Sequence, residues 1–91
     1  MHVIRLRAAW THEDGGVAVR RFNKPTGLDG GERVWIAWDG AVESAELNGD
    51  PLTVSLSPNR HDVTDRLRLT NELRLVGGSR DVLATVRLEI G

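Results

Sequence analysis

The sequence predicts an all-β fold, an antiparallel β-sandwich of about eight strands that forms one domain over residues 1–91. Three observations lead to this prediction. Apolar and polar residues alternate with a period of two along most of the chain, as they do in strands that bury one face and expose the other. Residues that favour tight turns separate the alternating runs. The chain has 91 residues and no cysteine, so one small core must hold the domain together without disulfides.

The alternating runs define the individual strands. In the clearest run, Val34, Ile36 and Trp38 form one face of a strand, which places Trp38 in the core. Trp35 lies between them and therefore points to the opposite face. The same pattern along the chain predicts strands over residues 2–10, 17–22, 33–38, 41–47, 51–57, 60–64, 72–77 and 81–90.

Turn-forming residues occupy the gaps between these strands. Asp14-Gly15-Gly16, Asp39-Gly40 and Asn48-Gly49 contain residues that tolerate a positive φ, as tight hairpins require. Residues 57–59 and 77–79 predict longer turns. The predicted strands are thus joined mostly by hairpins.

Two segments are not typical of strands. Residues 23–32 contain a proline and three glycines and predict a connection that crosses between the two sheets. Residues 64–69 predict one helical turn, with Thr64 or Asp65 as its N-cap and Leu67 pointing into the core.

Composition and charge limit the classes of function. The net charge is −1, and basic and acidic residues are spread along the whole chain, so the sequence does not predict nucleic-acid binding. The first ten residues alternate apolar residues with arginine and lack the continuous apolar run of a signal peptide or membrane span. A cytoplasmic protein without a membrane partner is therefore expected.

A series of motifs in the second and third quarters of the chain resembles a known family. The series consists of Val34, Ile36, Trp38 and Gly40, then Ala45, Leu47, Asn48 and Gly49, then Asp62, Val63, Thr64 and Leu67, and finally Asn71, Leu73 and Leu75. It resembles the non-catalytic, sugar-binding sandwich found at the front of many family 2 glycoside hydrolases, a galactose-binding-domain-like jelly roll. The resemblance implies a jelly-roll-like sandwich with carbohydrate as the ligand class, here as a minimal stand-alone domain.

The chain departs from this family in two respects. Only residues 50–60, which contain no aromatic side chain, stand between the Asn-Gly hairpin and the Asp-Val-Thr motif, where the family usually has a longer insertion rich in His, Gly, Tyr and Phe. The catalytic barrel of the hydrolases is also missing. The resemblance therefore does not imply hydrolytic activity.

Catalytic and metal-binding motifs do not stand out in the sequence. His2, His12 and His61 lie on three separate segments without metal-ligand spacing. The serines lack a nucleophile-elbow motif, and the glycines at residues 27–31 lack the Lys-Ser/Thr of a phosphate-binding loop. We therefore expect no enzyme, no metal and no cofactor.

One end of the sandwich is the predicted ligand site. Successive connections of an antiparallel chain fall at alternate ends, so that residues 12–16, 39–40, 57–60 and 77–81 should share one end. This end offers planar donors and acceptors suited to sugar hydroxyls, but it lacks an aromatic platform unless Trp10 leans over it. The candidate ligand-binding residues are His12, Glu13, Asp14, Asp39, Asn59, Arg60, Arg80 and Asp81.

The strand face that carries Trp35 and Arg33 gives a second hypothesis. An indole on an open face stacks on a sugar ring or is buried in a subunit interface, unless neighbouring arginine side chains or a loop cover it. The sequence thus predicts a non-catalytic binding module with a weakly bound carbohydrate. The alternative is a module that associates with a second copy of itself or with another protein and has no small-molecule ligand.

Overall fold

The computed structural model describes residues 1–55 and 58–91, which form an antiparallel β-sandwich of two open sheets. Within these two ranges, nine strands, one 3₁₀ turn and one short helix follow each other. They are β1 (His2–Arg5), β2 (Thr11–Glu13), β3 (Val17–Asn23), β4 (Val34–Trp38), β5 (Ser44–Leu47), β6 (Asp50–Leu52), β7 (Asn59–Asp62), the 3₁₀ turn (Thr64–Arg66), β8 (Thr70–Val76), α1 (Arg80–Leu83) and β9 (Arg87–Ile90).

The strand order is jelly-roll-like. The four-stranded sheet has the order β1-β9-β4-β7 and the five-stranded sheet the order β2-β3-β8-β5-β6, and all pairs are antiparallel. When the short edge strand β2 is set aside, the remaining eight strands divide between the sheets as in a jelly roll. The predicted sandwich class is therefore confirmed.

The ninth strand is β2, which begins just after the predicted strand over residues 2–10, and of that predicted strand only His2–Arg5 is observed as a strand. This part, β1, pairs with β9 of the four-stranded sheet, and the chain then crosses to β2 of the five-stranded sheet. Ala9 has a φ of 62°, a left-handed conformation that an extended strand does not contain. This residue turns the chain from one sheet towards the other.

The predicted strand over residues 81–90 is wrong in its first half, where the chain forms α1. Ser79 caps this helix, since the backbone N–H of Val82 donates a hydrogen bond to Ser79 Oγ at 3.2 Å. The helix brings Leu83 into the core, where it is 5% exposed. Within the described ranges, no helix has the length and apolar composition needed to cross a membrane.

Two other predicted elements differ at their ends. The strand predicted over residues 51–57 is observed as β6, and its last two positions lie outside the described residues. The helical turn predicted over residues 64–69 is the 3₁₀ turn, but its N-cap is Val63 and no side chain caps it. Asp62 instead accepts a hydrogen bond from the backbone N–H of Thr64 at 3.1 Å.

Trp38 lies at the centre of the core, as predicted, and is fully buried. Ile36 and Leu88 of the same sheet and Leu73 of the opposite sheet are also at most 1% exposed. The imidazole of His61 packs against the indole of Trp38, with 5.2 Å between ring centroids. Burial of this imidazole lowers the pKa of His61, and the positive charge of Arg66 lowers it further.

A pair of asparagines holds the hairpin between β5 and β6 to the start of β8. Asn48, with a φ of 53°, accepts a hydrogen bond from Glu72 N at 2.9 Å and donates one to Asn71 Oδ1 at 3.0 Å. Asn71 is 1% exposed, and its amide also bonds the backbone N–H and carbonyl of Arg68. The side chains of Asn48 and Asn71, both of which belong to the motifs, therefore stabilise the fold.

Candidate ligand-binding site

The turns of the end at which a ligand was predicted lie close together. The N–H of Gly77 donates to the carbonyl of Gly16 at 3.0 Å, and Asn59 Nδ2 donates to the carbonyl of Gly40 at 3.2 Å. Gly40 in turn packs so closely on α1 that a Cβ atom there would lie 2.7 Å from Val82 Cγ2. The turns that were predicted to share one end are thus in contact, as far as the structure describes them.

The side chain of Asn59, however, is buried and already forms hydrogen bonds within the protein. Asn59 is 1% exposed. Besides the bond to Gly40, its amide accepts a hydrogen bond from Ser55 N at 2.8 Å and donates one to Ser55 O at 2.9 Å. This amide links Ser55 to the start of β7, and its burial removes it from the surface on which a ligand could bind.

Glu13 and Asp39 are engaged by arginines on the outer faces of the two sheets. Glu13 Oε1 lies 3.0 Å from Arg74 Nη1 on the five-stranded sheet. Asp39 Oδ2 lies 3.4 Å from Arg87 Nη1 on the four-stranded sheet. These two carboxylates therefore point away from each other and do not join one site.

Arg60 also lies on an outer face, where it covers Trp35. Its guanidinium carbon is 3.9 Å from the centroid of the Trp35 ring, a cation–π geometry. Of the alternatives predicted for Trp35, the structure shows cover by an arginine side chain. Asp14 and Asp81 remain exposed at the hairpin tip and in the first turn of α1.

His12 and Arg80 do come together, in a cavity of about 280 Å³ between the start of β2 and α1. We call it the Trp10 cavity after the tryptophan among its lining residues. The lining residues are Arg7, Ala9, Trp10, His12, Arg80, Leu83 and Ala84. Trp10, which the sequence offers as the aromatic side chain for this end, therefore lies in the same lining as His12 and Arg80.

The position of Trp10 follows from the crossing between the sheets. Its indole packs against the core, and Nε1–H donates a hydrogen bond to the carbonyl of Leu6 at 2.7 Å. Leu6 is itself 2% exposed, and its N–H donates a hydrogen bond at 2.9 Å to the carbonyl of Val86, the residue before β9. The left-handed turn at Ala9 directs the chain around this anchored ring.

His12 and Arg80 reach the cavity from opposite sides. His12 pairs with Ala18 in the ladder between β2 and β3, and Ala18 is 3% exposed, so both side chains lie on the inner face of that sheet. His12 is nevertheless exposed, because β2 is an edge strand. Arg80 begins α1, whose Leu83 provides an apolar base to the cavity.

The charge of the lining is entirely basic. Arg7 and Arg80 contribute it, and no Asp or Glu is among the described residues that line the cavity. In the part of the chain that the structure describes, neither Arg7 nor Arg80 forms an ion pair. These two guanidinium groups are therefore available as hydrogen-bond donors to a ligand.

A larger groove of about 630 Å³ lies on the outer face of the five-stranded sheet. Most of its charged side chains are paired: Arg74 contacts Glu13 at 3.0 Å and Glu72 at 3.5 Å, and Arg21 contacts Glu72 at 3.7 Å. Arg20 also lines the groove and forms no ion pair with a described residue. Among the described lining residues there is no aromatic side chain. It is larger than the Trp10 cavity, but most of its charged side chains already have ion-pair partners and it has no tryptophan on which a sugar ring could stack.

The outer face that carries Trp35 (the Trp35 face) also carries a set of linked ion pairs. Glu89, 12% exposed, receives Arg60 Nε at 2.8 Å and Arg87 Nε at 3.0 Å, and the hydrogen bonds from Arg60 and then Arg87 lower the pKa of its carboxyl. On the same face, Arg33 Nε lies 2.9 Å from Asp62.

Asp62 is held in its charged form by this arrangement. The hydrogen bond from Arg33, followed by those from the hydroxyl and backbone of Thr64, lowers the pKa of Asp62 to about 2.

Among residues 1–55 and 58–91, no group of three or more His, Asp or Glu side chains is placed to hold a metal ion.

Sequence reasoning missed Arg7 and the contribution of α1 to the cavity. Arg7 was assigned to an unbroken strand, and residues 80–83 to the start of another. The available signal was Ser79 followed by an acidic residue in the next turn, which is typical of a helix start.

Comparison of the chain with protein-family models, with curated proteins and with solved structures gives no match. The geometry of the Trp10 cavity and the charges around it are thus the basis for the functional proposal.

Proposed function

We propose that the protein is a non-catalytic binding module that holds a saccharide in the Trp10 cavity. The observation that carries the proposal is the anchored indole of Trp10, which the hydrogen bond to Leu6 O fixes beside the donors of Arg7, His12 and Arg80. An indole face stacks on the C–H face of a sugar ring, and side-chain donors around it bind the hydroxyls.

The size of the cavity limits the ligand. About 280 Å³ lies just below the usual range for small-molecule sites, which begins at roughly 300 Å³. One sugar ring therefore fills it. For such a small and open site we expect a dissociation constant of about 0.1–1 mM, or roughly 4–5.5 kcal/mol.

The resemblance to galactose-binding-domain-like sandwiches supports the same class of ligand. It rests on the order of motifs from Val34 to Leu75, and the jelly-roll-like strand order agrees with it at the level of fold. The cavity itself lies outside those motifs, so the position of the site is argued from its geometry alone.

Titration followed by NMR tests the proposal. Simple mono- and disaccharides added to the labelled protein should shift the indole N–H signal of Trp10 and the backbone signals of residues 79–84, and leave the indole signal of Trp35 in place. Trp10→Phe should weaken binding, because a smaller ring stacks less, whereas Trp35→Phe serves as the matched control and should bind normally. Absence of shifts at tens of millimolar sugar, or shifts around Trp35 instead, would contradict the proposal.

Association through the Trp35 face is the second candidate. Val3, 41% exposed, shares this face with Trp35, since both pair with Glu89 across the sheet. The cover provided by Arg60 reduces the apolar area that the indole offers to a partner, and for this reason we place it second.

A further inference from the structure

We propose that the saccharide held by the Trp10 cavity carries an anionic group, a carboxylate or a phosphate, which binds between Arg7 and Arg80. This inference rests on the proposed function and adds the ligand's charge to it. Its starting point is the lining of the cavity, which contains Arg7, His12 and Arg80 but no acidic residue.

The positive charge of the cavity is local. The chain as a whole has a net charge of −1, with 13 acidic residues against 12 basic ones. A general excess of basic residues therefore does not explain why Arg7 and Arg80 meet here beside His12 with no acidic residue among the described lining residues. The fold concentrates the positive charge at this position.

Two acidic residues adjoin the lining in sequence, and neither is one of the lining residues. Asp81 follows Arg80 and is exposed in the first turn of α1. Glu13 follows His12 directly, but strand alternation turns its side chain to the other face of β2, where it pairs with Arg74 at 3.0 Å. Arg7 and Arg80 form no ion pair with any residue that the structure describes. A bound anion would supply the missing partner.

The chemistry of the guanidinium group explains the choice of ligand. Its planar fork of donors matches the oxygens of a carboxylate or phosphate, and such charge-assisted hydrogen bonds are stronger than those to neutral hydroxyls. The indole of Trp10 would receive the apolar face of the ring while the anionic group points towards the arginines. Because both arginines are exposed, we expect a gain of about tenfold in affinity over the neutral sugar.

Glucose, glucuronate and a phosphorylated glucose, titrated separately, test the inference. Tighter binding of both anionic sugars, by about tenfold, supports it, and tighter binding of only one supports it and identifies the anionic group. The preference should shrink when NaCl is raised from roughly 50 to 500 mM, because salt screens exposed charges. Equal or weaker binding of the anionic sugars overturns the inference and leaves the proposed function intact.

Two controls separate this failure from failure of the proposed function. If none of the three sugars binds, both proposals are wrong. If acetate or inorganic phosphate alone binds as tightly as the matching sugar, the ring contributes nothing and both proposals are again wrong, because the cavity then holds an adventitious ion only.

Charge-removing variants test the assignment to the two arginines. Arg80→Gln and Arg7→Gln should each bring the affinity for the anionic sugar most of the way to that for glucose. Lys24→Gln removes the same charge at the opposite end of the sandwich, where Lys24 N bonds Leu69 O, and should keep the full preference. A preference that survives in both arginine variants, or that is lost in Lys24→Gln, overturns the inference.

Discussion

The two indoles outside the centre of the core, Trp10 and Trp35, lie in contrasting surroundings. Trp35 is covered by Arg60, whose guanidinium carbon is 3.9 Å from the ring centroid. Arg60 in turn is held by Glu89 at 2.8 Å. Trp10 is anchored from below by Leu6, and the guanidinium groups in its cavity lack an ion-pair partner among the described residues.

This difference shows why exposure alone is a poor guide to a binding site. Around Trp35 the protein satisfies its own charges, so a ligand would have to break existing ion pairs before making new contacts. Around Trp10 the guanidinium groups of Arg7 and Arg80 have no ion-pair partner among the described residues. A ligand can therefore displace water from them by offering its own acceptors. Besides the two binding tests above, four predictions about stability, pH dependence and association test this contrast.

The largest effect on stability is expected at Glu89. Glu89→Gln removes the charge that two arginines share at 2.8 and 3.0 Å, and it leaves both cations close together on a partly buried face. We expect a loss of about 1–3 kcal/mol in the free energy of unfolding, measured with urea. Asp81→Asn is the matched control at the cavity end, where the carboxylate is exposed, and should change stability by less than about 0.5 kcal/mol.

If the two variants have equal stability, the charges on the Trp35 face are no better organised than those near the Trp10 cavity. The comparison would then lose its energetic basis. A selective loss in Glu89→Gln would establish that this face is a structural element.

A stabilising effect is expected at Ala9. Its φ of 62° costs an L-residue with a Cβ roughly 1–2 kcal/mol, and glycine avoids this cost but is more flexible in the unfolded chain. Ala9→Gly should therefore raise the free energy of unfolding by about 0.5–1 kcal/mol.

Asn48→Gly provides the contrast for this prediction. Asn48 has a similar φ of 53°, but its side chain makes hydrogen bonds to Glu72 N and Asn71, so this variant should be destabilised. Stabilisation of both variants to the same extent would mean that the asparagine bonds contribute nothing. Destabilisation of Ala9→Gly would show that the turn at the cavity is not strained.

The contrast between these residues also indicates what sequence reasoning captures. Alternation predicted the core position of Trp38, and Asn48-Gly49 predicted a hairpin, because both signals are local. The break at Ala9 was missed, since alanine rarely adopts a positive φ and the alternation around it continues through Leu6 and Ala8. A helix of four residues such as α1 is too short to show a helical period.

The pairing of charges was not predictable for another reason. Arg60 and Glu89 are 29 positions apart in the chain. They meet because β7 and β9 both flank β4, with Arg60 opposite Ala37 and Glu89 opposite Trp35. Strand order and register decide this contact, and neither can be read from a single run of residues. The same holds for the approach of Arg7 to α1.

A pH dependence of stability should come from the core behind the Trp35 face. Burial lowers the pKa of His61 below its usual 6.5, so the unfolded chain takes up a proton more readily than the folded protein. The free energy of unfolding should therefore be highest above pH 6.5 and fall as the pH is lowered through that value.

Asp62 adds a second decline at lower pH. Its pKa is about 2 in the folded protein against 3.8 ordinarily, so its contribution is present above pH 3.8 and is lost as the pH falls towards 2. Urea unfolding at several pH values would measure both steps. His61→Phe should remove only the decline in the free energy of unfolding near pH 6.5. If this decline is unchanged in the variant, His61 is not its source.

The smallest effect is expected from Trp35→Ser on association. If Arg60 satisfies the indole as the geometry indicates, wild type and variant should both have the mass of one chain by size-exclusion chromatography with light scattering, even at high concentration. A wild-type dimer that becomes a monomer in Trp35→Ser would instead favour association through this face. Trp10→Phe, measured in parallel, would show whether any dimer depends on the other indole. A dimer that depends on Trp35 would mean that the face with the paired charges is the binding surface of the protein and that the Trp10 cavity is of less importance for binding.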